Sequence, residues 1–207
     1  FAEYTGNDEW RNVADTTYDI IANINNATAA SQTGLLPDWA SADGTRADET
    51  SLSDQFNYTY DATRVPWRLA KDAIWYCTPE ALNQLDKLNS FFKGIGAANI
   101  KDGYQLDGTV IGQWNNAPFV APIGAAAVLA DDTAYQQSLW QETTSGVLIN
   151  ENYYNESLRL LSLLVMTGMM DHPLDNTPTQ PTATPTATAT ATATPTAGTG
   201  EGPTRTP

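Results

Sequence analysis

The C-terminal stretch sets the first limit on what this chain can fold into. From Asn176 to Pro207 the sequence is almost entirely Thr, Pro, Ala and Gly, with runs such as Pro181-Thr182-Ala183-Thr184-Pro185 and no large apolar side chain. Nothing in it can offset the conformational entropy lost on ordering. Such stretches read as extended, often O-glycosylated tethers between modules of secreted, extracellular proteins. A folding domain over residues 1–175 and a disordered Thr/Pro/Ala linker over 176–207 are therefore expected. The chain opens at Phe1 with neither an initiating Met nor a leader peptide, and reads as a fragment.

The domain reads as helical. Asn7-Asp8 can cap a helix running to about Asn25 or Asn26, its inward residues being Trp10, Val13, Ile20, Ile21 and Ile24. A long loop from Thr33 to Tyr60 follows, and loops of that length in a compact domain are usually functional or disordered. A second helix starts near Asp61, with Pro66 in its first turn and Ala62, Val65, Leu69, Ala73 and Ile74 on its buried side. Thr78-Pro79 restarts the helical pattern. Leu82, Leu85, Leu88, Phe91 and Phe92 follow at helical spacing, and Gly94 ends the run. Asp102-Gly103 and Asp107-Gly108 predict a short hairpin over 102–112. Three further helices are expected: Phe119 to Ala130, one capped by Asp131 or Asp132 with Tyr135, Leu139 and Trp140 inward, and one from about Asn152 to Thr167, ended by Gly168. About six helices in hairpin-like succession result, too apolar for their number to bury one another completely.

Composition narrows the chemistry. The formal net charge of −14 argues against nucleic acid and against anionic membrane surfaces, and leaves neutral or cationic substrates open. No stretch is long enough to span a membrane. A single cysteine, Cys77, precludes an intrachain disulfide, and its place in Trp75-Tyr76-Cys77 predicts a buried, inert thiol. With His172 the sole histidine and no Cys/His cluster, neither a metal nor another cofactor is expected. Six Trp and nine Tyr are many for so short a domain. Most belong in a core, yet flat rings are also what pyranose faces stack on.

The stretch Phe56-Asn57-Tyr58-Thr59-Tyr60-Asp61-Ala62-Thr63-Arg64-Val65-Pro66-Trp67-Arg68 carries the most chemistry. A loop rich in aromatic and hydroxyl groups delivers Asp61 to the mouth of a helix. Arg64, three residues on, shares that helix face, and both its charge and the helix N-terminus favour a carboxylate anion. An ordinary N-cap is the competing role for Asp61. The combination suits the handling of a sugar chain by a carboxylate.

Five stretches in order resemble the C-terminal half of glycoside hydrolase family 8, the bacterial endo-β-1,4-glucanase type. They are Tyr4-Thr5-Gly6-Asn7-Asp8-Glu9-Trp10; Thr33-Gly34-Leu35-Leu36-Pro37-Asp38-Trp39; Tyr60-Asp61-Ala62-Thr63-Arg64-Val65-Pro66-Trp67-Arg68; Phe119-Val120-Ala121-Pro122; and Tyr153-Tyr154-Asn155-Glu156-Ser157-Leu158 running to Gly168. The resemblance implies an all-α fold, an (α/α)6 barrel of which about half the helices are present. It also implies an inverting hydrolase of polysaccharide whose general-acid glutamate lies in the N-terminal half, so that the fragment alone is inactive; a monomer is expected.

On that resemblance Asp61 is the general base and Arg64 orients it. Tyr60, Asp38, Trp39, Tyr153 and Tyr154 are the substrate-binding candidates, with Tyr154 favoured over Tyr153. Loop anchoring competes with sugar contact for Asp38 and Trp39, aromatic core packing competes for Tyr60, and Trp67 and Trp114 are read as packing before subsites. The substrate could instead be xylan, chitosan or mixed-linkage glucan. A non-catalytic carbohydrate-binding helical module is a further alternative, though binding needs no Asp–Arg pair. A linked carbohydrate-binding module beyond the linker completes the expectation.

Overall fold

The computed structural model describes residues 1–47, 55–147 and 152–174, so the expected linker over 176–207 lies outside the described residues. In chain order the α-helices are α1 (Ala2–Thr5), α2 (Glu9–Ala27), α3 (Ala30–Thr33), α4 (Val65–Tyr76), α5 (Pro79–Ile95), α6 (Ala117–Ala127), α7 (Thr133–Gln141) and α8 (Tyr153–Met166). Six of these have nine residues or more. Among the described residues no helix is long and apolar enough to cross a membrane.

α6 is the hub. All eleven of its residues are buried, and it packs against α4, α5, α7 and α8. Its small side chains permit this: Ala125 sits among Ala70 of α4 and Val165 of α8 in one apolar cluster. α4 and α8 run parallel, for Trp67 Nε1 donates to Leu161 O at 3.1 Å and Trp75 Nε1 to Met170 O at 3.3 Å. The starts of α4, α6 and α8 consequently lie at one end of the molecule. α5 returns antiparallel between the first two, giving the helix alternation of an (α/α)6 barrel, of which these residues form a part.

Pro122 lies inside α6 and has no N–H to give to the carbonyl four residues back, that of Pro118. Thr63 fills the gap: its fully buried hydroxyl donates to Pro118 O at 2.5 Å. The residue that repairs α6 thus sits two positions after Asp61.

The hairpin expected over 102–112 is present as a tight turn, with Tyr104 making isolated antiparallel bridges to Val110 and to Tyr58. Tyr58 and Tyr104 exchange both backbone hydrogen bonds, at 2.9 and 3.0 Å. The Tyr58 ring packs in the core against Phe92, Tyr104 and Phe119, with centroids 5.8–6.4 Å apart. This anchorage fixes the strand of loop that ends at Tyr60-Asp61.

Helix ends follow their local signals. Pro66 sits in the first turn of α4, Asp132 caps α7 by accepting from Tyr135 N at 2.9 Å, and Asn152 caps α8 through Asn155 N at 2.9 Å. α5 runs past Gly94 to Ile95 and ends at Gly96, whose φ of 83° suits glycine.

Several expected core positions are corrected. Trp10 and Val13 are 44% and 55% exposed; the Trp10 ring meets that of Phe1 and lines a cleft of about 380 Å3 with Asp72 and Tyr76, at the edge of the fold and outside its core. Ile74, Leu82 and Trp140 are exposed on the outer sides of α4, α5 and α7. Cys77 is exposed rather than buried: it terminates α4 in the left-handed region, φ 55°, and so turns away from the helix's apolar side.

Candidate active site

Asp61 stands at the end of the molecule where α4, α6 and α8 begin. A short 3-10 turn, Ala62–Arg64, separates it from α4. That turn brings Arg64 back over its own start: the guanidinium donates to Asp61 Oδ1 at 2.5 Å and Nε to Asp61 O at 3.0 Å. The other carboxylate oxygen, Oδ2, accepts from Trp39 Nε1 at 3.3 Å. Side-chain exposures of 34% for Arg64 and 46% for Asp61 leave the pair open to solvent. An ion pair that exposed adds about 0–1 kcal/mol to folding, so its consequence is orientation.

Asp38 holds the same turn from behind. Its Oδ1 accepts from the backbone N–H groups of Thr59, Asp61 and Ala62 at 3.1, 3.1 and 2.7 Å, and its Oδ2 accepts from the Thr59 hydroxyl. A carboxylate more than twenty residues upstream thereby caps the opening of the α4 region, a duty usually left to the residue next to the helix. Asp61 lies where an N-cap would, but its side chain makes no cap hydrogen bond. Asp38 and its neighbour Trp39 grip Asp61 by the backbone and by the side chain.

Tyr60 is 43% exposed and held at three points. Its hydroxyl donates to Asp102 Oδ2 at 3.0 Å and accepts from Asn116 Nδ2 at 3.0 Å, and its ring meets Phe119 edge-on at 5.1 Å. Tyr154, at the start of α8, donates its hydroxyl to the backbone carbonyl of Tyr60, and the two rings lie 6.2 Å apart. Burial raises the pKa of the Tyr154 phenol above the ordinary tyrosine value; Arg64 opposes that and the charge of Asp61 adds to it. Tyr153 is 90% exposed.

Of the expected site residues, then, Asp38, Trp39, Tyr60, Asp61, Arg64 and Tyr154 come together and Tyr153 stands apart from their contacts. Trp67 packs, with Lys71 over its ring at 4.5 Å, whereas Trp114 is 68% exposed. Sequence reasoning overlooked Asp102 and Asn116. Asp102-Gly103 was legible only as turn chemistry, and the turn role is real, since Asp102 Oδ1 accepts from Gln113 N and Trp114 N at 2.7 and 2.8 Å. Among the described residues no group of three or more His, Cys, Asp or Glu is placed to hold a metal ion.

Comparison with known proteins gives this end of the molecule its context. The model of glycosyl hydrolases family 8 matches residues 1–168. Endoglucanase A of Acetivibrio thermocellus is 40% identical over 187 residues, covering 88% of this chain and 37% of that protein. Endoglucanase C of Ruminiclostridium cellulolyticum is 41% identical over 172 residues, covering 81% and 35%. The chain therefore spans little more than a third of the length of these curated relatives. Among solved structures, the apo β-1,3-1,4-glucanase from Paenibacillus sp. X4 superposes with a TM-score of 0.72 at 36% identity, over 81% of this chain and 46% of that one. Matched over most of its length both in sequence and in fold, the chain belongs to glycosyl hydrolases family 8.

Proposed function

We propose that this chain carries the base-bearing side of an inverting glycoside hydrolase that cleaves β-1,4-linked glucan, with Asp61 as the general base. One observation carries the reading: a solvent-accessible carboxylate whose two oxygens are each held by one donor, Arg64 and Trp39, while Asp38 clamps its backbone. Such a group is open to water yet has little freedom to turn, as a base must be if it is to meet a proton in the transition state.

The reaction this supports is direct displacement. Water loses a proton to Asp61 as its oxygen attacks the anomeric carbon, while an acid on the far side of the sugar protonates the departing oxygen. The two carboxyls of an inverting pair stand about 6.5–9.5 Å apart to admit that water. The acid partner comes from outside this chain, so the chain alone is inactive. Trp39, Tyr60 and Tyr154 supply the ring surface and hydroxyls that border the sugar, Tyr153 extends from the rim, and Asp38 contributes by holding the loop. The names of the relatives, endoglucanases among them, favour glucan. The Paenibacillus neighbour is named for mixed-linkage glucan, which makes that polymer the second substrate to try. The Thr/Pro stretch supports a secreted, linker-bearing enzyme.

The test is Asp61→Asn in the complete enzyme. Hydrolysis of soluble cellulose derivatives should fall about 10²–10⁴-fold with the circular dichroism spectrum unchanged, and NMR of fresh wild-type product should show inverted anomeric configuration. Undiminished turnover in the variant removes Asp61 from the base role, and retained configuration removes the mechanism.

A further inference from the structure

Trp114 is the most exposed of the tryptophans. An indole 68% exposed contributes little to the core, and its apolar faces are open to a ligand. Its backbone, by contrast, is held tightly. Asp102 Oδ1 accepts from Trp114 N at 2.8 Å and from Gln113 N at 2.7 Å, while Asp102 Oδ2 accepts from the Tyr60 hydroxyl at 3.0 Å. One carboxylate thus binds an exposed tryptophan to the tyrosine that directly precedes Asp61. Asn116, two residues beyond Trp114, closes the loop by donating to the same Tyr60 hydroxyl.

The topology gives this a direction. Trp114 precedes α6 as Asp61 precedes α4, and both helices start at the same end of the molecule. Trp39 borders Asp61 on one side; the Tyr60–Asp102–Trp114 connection leads away from it on another. An exposed ring on a backbone with fixed hydrogen bonds suits a stacking platform, since the loop that carries it does not have to be ordered on binding.

We propose that Trp114 is a stacking platform for a pyranose unit of a β-linked glucan chain, a unit other than the one at Asp61, and that Asp102 is the positioning residue that sets it. This rests on the hydrolase reading of Asp61. Asp102 acts through two separable contacts. Its Oδ1 fixes the Trp114 loop and its Oδ2 fixes Tyr60, so the Asn variant, which keeps one acceptor oxygen, separates them from the Ala variant, which loses both.

The experiment uses the 207-residue chain labelled with nitrogen-15 and titrated with cellohexaose, following the indole N–H resonances of its six tryptophans. Single Trp→Phe variants supply the assignments. The Trp39 and Trp114 signals should move together with one dissociation constant. Those of Trp67 and Trp75, whose indole N–H groups donate to Leu161 O and Met170 O, should stay. Trp114→Ala should weaken binding about five- to tenfold, with Trp114→Phe recovering part of it. Asp102→Ala should weaken binding similarly and displace the free-state Trp114 resonance; should that variant fail to fold, Asp102→Asn takes its place and is expected to leave the Trp114 resonance near its wild-type position. Movement of Trp39 with Trp114 still overturns the platform and leaves the hydrolase reading intact. If neither moves, the platform is overturned, and the hydrolase reading is decided by Asp61→Asn in the complete enzyme. Weaker binding in Asp102→Ala with an unmoved Trp114 signal overturns the positioning role.

Discussion

Trp39 and Asp61 meet across twenty-two residues of chain, the indole nitrogen donating to Oδ2 at 3.3 Å. This contact separates two duties an exposed tryptophan beside a carboxylate could have. Trp39→Phe keeps a ring for a sugar to lie on and removes only the N–H. If Asp61 is the base, as proposed, and the hydrogen bond orients it, kcat of the complete enzyme on soluble glucan should fall roughly tenfold, the value of about one hydrogen bond to a charged group, with KM nearly unchanged. A rise in KM at constant kcat would instead assign Trp39 to stacking alone.

Asp38 organises the turn more than any other side chain, with three backbone N–H groups and one hydroxyl on its carboxylate. Asp38→Ala leaves those donors without their acceptor in a partly buried place. The expected cost is about 2–3 kcal/mol in urea unfolding, with activity lost beyond what the folded fraction explains. Asp38→Asn retains an oxygen and should cost less than half as much. A stable Ala variant with full activity would show that the turn holds itself.

The Thr63 hydroxyl answers the carbonyl that Pro122 leaves orphaned. Thr63→Val keeps the shape and removes the donor, so Pro118 O stays buried and unpaired. The expected destabilisation is about 1–3 kcal/mol by chemical denaturation. The pair Thr63→Val with Pro122→Ala should cost less than the sum of the single changes, because the alanine N–H restores an intrahelical partner.

That pairing also shows where sequence reading stops. The helices were legible because their signals are local: Thr78-Pro79 before α5, Asp132 before α7, Asn152 before α8, and the Asp61–Arg64 spacing on one face. What escaped depends on groups far apart in the chain. Asp38 capping Asp61 and Asp102 holding both Tyr60 and Trp114 involve separations that no periodicity records. Trp10, Val13, Ile74 and Leu82 read as inward because helical spacing tells which residues share a face and is silent on whether anything covers that face.

Alkaline pH should unfold this domain in a recognisable way. Burial pushes the phenols of Tyr18, Tyr58 and Tyr135 well above the ordinary tyrosine value, and the hydrogen bond from Tyr18 to Asp72, 2.5 Å long, adds to the first. A phenol raised in the folded state contributes stability that is complete below the unfolded value near pH 10. The contribution is lost as pH climbs toward the folded value. Thermal midpoints should therefore fall steeply above about pH 10, and the last part of the phenolate absorbance, that of the buried rings, should rise together with loss of helical circular dichroism. Tyr18→Phe should flatten part of that slope. Ionisation of all nine tyrosines while the helical circular dichroism is intact would mean the buried rings are not sealed.

Cys77 offers the cleanest gain in stability. It closes α4 with φ 55°, a backbone region that costs a residue bearing Cβ about 1–2 kcal/mol and glycine almost nothing. Its side chain is exposed, so removing it opens no cavity. Glycine also gains freedom in the unfolded chain, which takes back part of the benefit. Cys77→Gly should accordingly stabilise the domain by about 0.5–1 kcal/mol in urea, whereas Cys77→Val, equally apolar but branched at Cβ, should destabilise it. In the wild-type protein a thiol reagent should titrate one equivalent under native conditions. A thiol that reacts only after denaturant is added, together with a Gly variant no more stable than its parent, would place Cys77 inside the fold and not at the helix's exposed end.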